Sequence, residues 1–157
     1  AGAEAFQKMA MPPGRSRIIA GLKGSNLIDD TYNASPAATH LALESLMNIE
    51  LPGSGRKIAV LADMMELGKY TIGAHQIIGK HAAEVADILI AVGQRGKIFM
   101  DGAREAGMPN ERVMHFEEAL SAAEALQNML QSGDLVLIKG SQYMRMERCV
   151  EEVMAYP

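Results

Sequence analysis

Hydrophobic positions along the chain fall into two alternating patterns. Short runs of β-branched and aliphatic residues occur at Arg17–Leu22, Asn26–Asp30, Lys57–Leu61, Asp87–Val92, Arg112–Phe116 and Asp134–Ile138. Runs of this length bounded by turn formers predict strands. Between the later runs, apolar residues recur at helical spacing. Thr39, Leu43, Leu46 and Met47 form one stripe, and Ala74, Ile78, Ala82 and Val85 a second. Ala119, Leu120, Ala123, Leu126 and Leu130 form a third, and Tyr143, Met146, Val150, Val153 and Met154 the last. Lys97–Ala106 predicts a shorter helix. Pro36 suits the first turn of a helix, where its missing N–H costs nothing. Glu117 and Glu118 precede a helix start, where the dipole favours negative charge. Gly133 is the expected cap at the other end of that helix, and Leu22–Asn26 reads as a hairpin turn.

The resulting order is β-β-α followed by βα units. Strands alternating with helices imply right-handed crossovers and a sheet covered on both faces. The prediction is a three-layer α/β/α fold around a six-stranded, mostly parallel sheet with an antiparallel N-terminal edge strand. This unit spans residues 12–157. Residues 1–11 read as the remnant of a preceding helix or linker, closed by Pro12-Pro13-Gly14.

Composition narrows the function classes. At 157 residues one domain is expected, and 48% apolar with 22% charged residues is ordinary globular usage. Fifteen basic against nineteen acidic residues give a net charge of −4, which argues against a nucleic-acid binder driven by bulk charge. A single cysteine, Cys149, excludes an internal disulfide and a CxxC metal site. Without a long apolar run or a signal-peptide core in Ala1–Met11, the expectation is a cytoplasmic protein with no membrane partner. His40, His75, His81 and His115 show no metal-ligand spacing and read as helix-surface or strand-end residues. The twelve methionines read as core fillers.

Ligands of open α/β sheets bind beyond the carboxyl ends of the strands, so the residues after each strand carry the candidate chemistry. After the second strand comes Asp29-Asp30-Thr31-Tyr32-Asn33-Ala34-Ser35-Pro36. A carboxylate there suits ribose hydroxyls or a metal-bound water, and Asp30 is the stronger candidate of the two. Asn33 can bond a ligand, whereas Ser35 reads first as a helix cap. Asp63 and Glu66 follow the third strand, a pair suited to an ammonium or cation. Gly93-Gln-Arg-Gly-Lys97 reads as a turn. Lys139-Gly140-Ser141-Gln142 after the last strand puts a cation and a hydroxyl where a helix is expected to begin, an arrangement that suits an anion. No GxxxxGK[ST] phosphate loop occurs.

Three of these segments together resemble the C-terminal domain of the Mur ligases: Asp29–Pro36, Lys57-Ile-Ala-Val-Leu-Ala-Asp-Met-Met-Glu-Leu-Gly68, and Leu137-Ile-Lys-Gly-Ser-Gln-Tyr-Met-Arg-Met-Glu147. The resemblance runs from about Pro12 to the end and is strongest to the member that adds D-Ala-D-Ala to UDP-MurNAc-tripeptide. It implies a Rossmann-like unit that closes over ATP and Mg2+ held mainly by two other domains, and that brings in the amino acid or dipeptide. By resemblance Arg15 reaches the ATP γ-phosphate and Asp30 contacts the ribose. The resemblance implies Arg15 and Lys139 as the catalytic residues, places Asn33 at both nucleotide and substrate, and puts Asp63, Glu66, Ser141 and Gln142 in loops facing the incoming substrate. The implied hinge lies near Met11–Gly14. The sequence departs from the family pattern at Ser35, Ala62 and Gln142-Tyr143, where Asn, Gly and Arg-Gly are usual.

Other readings stay open at this point. A phosphorelay receiver also uses paired acids, a further Asp and a Lys at strand ends, but it needs another strand and helix between Asp30 and Asp63. A stand-alone nucleotide-binding or adaptor module fits the same fold. So does the C-terminal domain of another Mur or folylpolyglutamate-type ligase.

Overall fold

The computed structural model describes residues 14–156. The linker reading of residues 1–11, and most of the implied hinge, lie outside them. Eleven main elements follow in chain order: β1 (Arg17–Ala20), β2 (Asn26–Asp30), α1 (Pro36–Asn48), β3 (Lys57–Ala62), α2 (Thr71–Val85), β4 (Ile88–Val92), α3 (Gly96–Glu105), β5 (Val113–Phe116), α4 (Ala119–Met129), β6 (Leu135–Lys139) and α5 (Glu147–Val153). The six strands form one sheet in the order β1-β2-β6-β3-β4-β5. β1 pairs antiparallel with β2, and every other pairing is parallel. The predicted architecture is therefore the observed one.

Parallel strands buried on both faces need apolar residues at nearly every position. β4 (Ile-Leu-Ile-Ala-Val) and β6 (Leu-Val-Leu-Ile-Lys) meet that demand, and all their residues are buried. Alternate side chains go to opposite faces. Leu27, Ile58, Val60, Ile90, Val136 and Ile138 pack on one face beneath α4 and α5. Ile28, Ala59, Leu61, Leu89, Leu135 and Leu137 pack on the other beneath α1, α2 and α3. Each large side chain buried in this way contributes about 1.5–3 kcal/mol from removal of apolar surface.

α2 and α3 approach unusually closely. A Cβ on Gly79 would lie 2.1 Å from the Phe99 carbonyl oxygen, and one on Gly102 would lie 2.1 Å from that of Gln76. Only glycine allows backbones this near each other. Among the described residues no helix is long and apolar enough to cross a membrane.

Several local expectations shift. The helix before β6 ends at Met129 with Leu130 in the capping position, so Gly133 is not its cap. With φ +90, Gly133 instead makes the turn into β6, where its carbonyl would meet a Cβ on Gly55 at 2.5 Å. The final stripe is interrupted. Gln142–Met144 is a 3-10 turn, and Arg145 adopts a left-handed conformation (φ 55). The helix proper begins only near Glu147, and Tyr143 is exposed. His75, expected at the surface, is fully buried.

Candidate functional site at the carboxyl edge of the sheet

Asp29 and Asp30 are adjacent on an extended strand, so their side chains diverge to opposite faces. Asp29 faces the α5 side, opposite Arg17 of β1 in the strand register. Its carboxylate accepts from the Gly14 N–H (3.0 Å), Arg17 Nη2 (3.2 Å) and Thr31 Oγ1 (2.8 Å). Those three donors consume it structurally. Tyr32 N–H closes the arrangement by donating to the Gly14 carbonyl at 2.8 Å. Asp29 thus ties Gly14 and β1 to the end of β2.

Asp30 faces the α1 side and lies in register with Lys139 of β6. Its Oδ2 is 3.0 Å from Lys139 Nζ, and the Lys139 and Asp30 side chains are only 3% and 13% exposed. Lys139 Nζ also donates to the Asn33 carbonyl. Removing such a pair from water is costly, and the additional carbonyl contact offsets part of that cost. Asn33 and Ser35 complete the loop: Asn33 Oδ1 accepts from the Ala34 N–H, and Ser35 Oγ accepts from the Ala38 N–H at 3.1 Å. Ser35 is therefore the cap of α1.

Arg15, Asp30, Asn33 and Lys139 line one open depression of about 470 Å³, with Ala38, Leu41, Ala42 and Ser45 of α1 as its other wall. The guanidinium of Arg15 sits 3.9 Å over the Tyr32 ring. Such a cation–π contact holds an exposed arginine at the rim without neutralising it. The depression offers an exposed cation, a carboxylate, an amide and a hydroxyl beside an apolar wall. That donor set fits a nucleoside phosphate.

The remaining predicted residues lie elsewhere. Asp63, at the end of β3, is buried. It accepts from the Arg95 N–H at 3.0 Å, with Arg95 Nη1 3.8 Å from its other oxygen. Burial pushes its carboxyl above the usual carboxylate range, opposed by those contacts with Arg95. A Cβ on Gly93 (φ +110) would lie 2.5 Å from the Asp63 carboxyl carbon, so glycine is required there. Gly93–Arg95 is a turn as expected, whereas Gly96 and Lys97 already open α3; the turn is also what encloses Asp63, a pairing the sequence reading missed.

Glu66 is exposed and holds a left-handed backbone (φ 61), unusual for a residue with a Cβ. Ser141 Oγ is buried with no hydrogen-bond partner among the described residues. Gln142 lines a separate depression of about 430 Å³ with Asp29, Arg17 and Glu147. Lys139-Gly140-Ser141 does not open a helix, because the 3-10 turn and Arg145 intervene. The anion-binding helix terminus expected there is absent, and the Lys139 charge is directed at Asp30 instead.

His75 supports the β3 loop from below. Its Nε2 accepts from the Met64 N–H at 3.1 Å, and its Nδ1 lies 2.7 Å from the Thr71 carbonyl. The ring is therefore the neutral Nδ1–H tautomer, and burial lowers its pKa below the ordinary histidine value.

The family model described as "Mur ligase, glutamate ligase domain" matches residues 14–142. A UDP-N-acetylmuramoyl-tripeptide--D-alanyl-D-alanine ligase from Bacillus subtilis (strain 168) is 31% identical over 144 residues, covering 91% of this chain and 31% of that protein. The solved structure of MurF ligase from Thermotoga maritima in complex with ADP superposes with a TM-score of 0.73 at 28% identity, over 92% of this chain and 31% of that one. A MurF from Acinetobacter baumannii gives a TM-score of 0.77 at 28% identity, again over 92% and 31%. The chain thus spans about a third of the length of the relatives it matches.

Proposed function

This chain belongs to the Mur ligase, glutamate ligase domain family, and we propose that it forms the closing third of an ATP-dependent ligase that adds D-Ala-D-Ala to UDP-MurNAc-tripeptide. The observation that carries this reading is the convergence of Arg15, Asp30, Asn33 and Lys139 on one depression. The relatives named for that reaction, one of them solved with ADP, support it.

The chemistry transfers the ATP γ-phosphoryl group to the tripeptide carboxylate, giving an acyl phosphate and ADP. The neutral dipeptide amine then attacks the acyl carbon, phosphate leaves, and the nitrogen loses a proton. Asp30 accepts from the ribose hydroxyls, with Asn33 beside it. Arg15 is exposed and pairs with no carboxylate among the described residues, so it is available to neutralise charge on the transferring phosphoryl group. Lys139 is too buried to approach the reacting atoms and acts by positioning Asp30 and the Asn33 loop. Asp63, Glu66, Ser141 and Gln142 bear on the incoming dipeptide, Asp63 indirectly through the loop it anchors. With Lys139 beside it, Asp30 is a poor Mg2+ ligand, so the metal is assigned to other parts of the ligase. Closure excludes water, which would otherwise hydrolyse the acyl phosphate. An ATP-consuming reaction of this kind places the protein in the cytoplasm.

The test is kinetic. In the complete ligase, Asp30→Asn should raise KM for ATP, and ATP-dependent consumption of D-Ala-D-Ala should exceed that of D-Glu or a diamino acid. The 157-residue chain alone should not turn over ATP. Turnover by the isolated chain, or an unchanged KM for ATP in the variant, would overturn the assignment.

A further inference from the structure

α1 presents three faces at about 100° per residue. Ala38, Leu41, Ala42 and Ser45 line the depression described above. Thr39, Leu43 and Leu46 are buried in the core. His40 and Glu44, one turn apart, point away from both sets, toward α2, where His81 meets them. Sequence spacing gives no hint of this cluster, because α1 and α2 are separated by β3 and only the fold brings their outer faces together.

We propose that His40, Glu44 and His81 form a binding site for a divalent transition metal of the zinc type, bridging α1 and α2. Their donor atoms all lie within 4.8 Å of one another. His81 Nε2 is 2.8 Å from Glu44 Oε1, and His40 Nε2 is 3.8 Å from the same oxygen. The two imidazole rings stand 4.4 Å apart, tilted by 36°. Donors bound tetrahedrally at ~2.0–2.1 Å lie roughly 3.4 Å from each other. The observed separations bracket that value, so small side-chain rotations complete three bonds without backbone movement.

Two imidazoles and one carboxylate favour zinc, nickel, cobalt or copper over the all-oxygen ligation of magnesium or calcium. The His40 and Glu44 side chains are 55% and 38% exposed, which leaves a fourth position open to water, while His81 is 11% exposed and anchors the site. The nearby cation, Lys80, is directed to Glu105 at 3.6 Å and does not compete for Glu44. His81 Nδ1 is buried with no partner among the described residues. The site therefore lacks the outer hydrogen bond that commonly strengthens a histidine ligand 10–100-fold, so it binds more weakly than a fully supported structural zinc site. Binding weakens at low pH because the imidazoles must be neutral to ligate.

The experiment is titration of the untagged, chelator-treated chain with Zn2+ by calorimetry, and with Co2+ by visible absorption. One equivalent should bind, with a tetrahedral Co2+ band, and Mg2+ should not displace it. His40→Ala, at an exposed position, should weaken binding at least tenfold without altering the far-ultraviolet circular dichroism. Glu44→Gln should do the same, and His115→Gln should leave binding unchanged. Absence of Zn2+ binding, binding indifferent to His40→Ala and Glu44→Gln, or displacement by equimolar Mg2+ would each overturn the proposal.

Discussion

Lys139→Met breaks the buried ion pair at the centre of the candidate site while keeping the aliphatic length of the side chain. The cost follows from burial. With side-chain exposures of 3% for Lys139 and 13% for Asp30, the variant strands a carboxylate that water barely reaches. Removing one partner of a buried pair costs about 3–5 kcal/mol, and the residual access to Asp30 argues for the lower half, about 3–4 kcal/mol. For a domain of this size that corresponds to a fall in Tm of roughly 6–16 °C, at ~2–4 °C per kcal/mol. Asp30→Asn in the same chain removes the stranded charge, so the double variant should recover to within about 1–2 kcal/mol of the parent. Urea unfolding at neutral pH, followed by far-ultraviolet circular dichroism, reads all four corners of the cycle. A loss below about 1 kcal/mol for Lys139→Met, or a double variant no more stable than the single one, would refute the view that Lys139 and Asp30 form one buried unit.

Gly79→Ala should destabilise the chain by about 1–3 kcal/mol despite the better helix propensity of alanine, because its Cβ would meet the Phe99 backbone at 2.1 Å; thermal melts decide this. His75 has a lowered pKa in the folded chain, so the unfolded state takes up a proton first as the pH falls through the ordinary histidine value of about 6.5. Stability should therefore drop between pH 7.5 and 5.5, and the slope should flatten in His75→Gln; an equal slope in both proteins contradicts the buried neutral ring. Arg15→Ala should lower kcat of the complete ligase by about 10²–10³-fold, while leaving the melting temperature of this chain nearly unchanged. Burial pushes the Cys149 thiol up to about 12, so iodoacetamide should label it only on unfolding, which mass spectrometry of native and urea-treated samples can check.

The strands were legible because nearly unbroken apolar runs such as Ile88–Val92 have no stable alternative once helices flank them. The edge bearing the candidate site was legible for the same reason: polar residues at strand ends stand out against such runs. What could not be read was partnership across the sheet. Strand alternation separates Asp29 from Asp30, but the partner of each, Arg17 or Lys139, is contributed by a different strand. The enclosure of Asp63 by Gly93 and Arg95 also joins separate βα units, and the turn reading of Gly93-Gln-Arg-Gly-Lys97 gives no sign of it. His75 reads as a surface residue because the apolar stripe Ala74, Ile78, Ala82 and Val85 leaves it out. The helix is in fact rotated to bury Gly79, whose lack of a side chain gives no hydrophobic signal. The last helix was read too long because its apolar spacing survives through Tyr143, although Arg145 adopts a conformation incompatible with a continuous helix.

The neighbouring carboxylates of β2 have a consequence for how the chain folds. Sliding β2 by a single residue against its neighbours would send Asp29 toward the face now occupied by Lys139, and Asp30 toward that of Arg17. Each strand partner would then stand one step out of line, and two carboxylates would be stranded against apolar layers. The edge hairpin is otherwise short, with only four paired positions to define its alignment. The two aspartates serve it as registration marks: a misthreaded strand loses both ionic pairs together, so the native alignment is favoured over the shifted one.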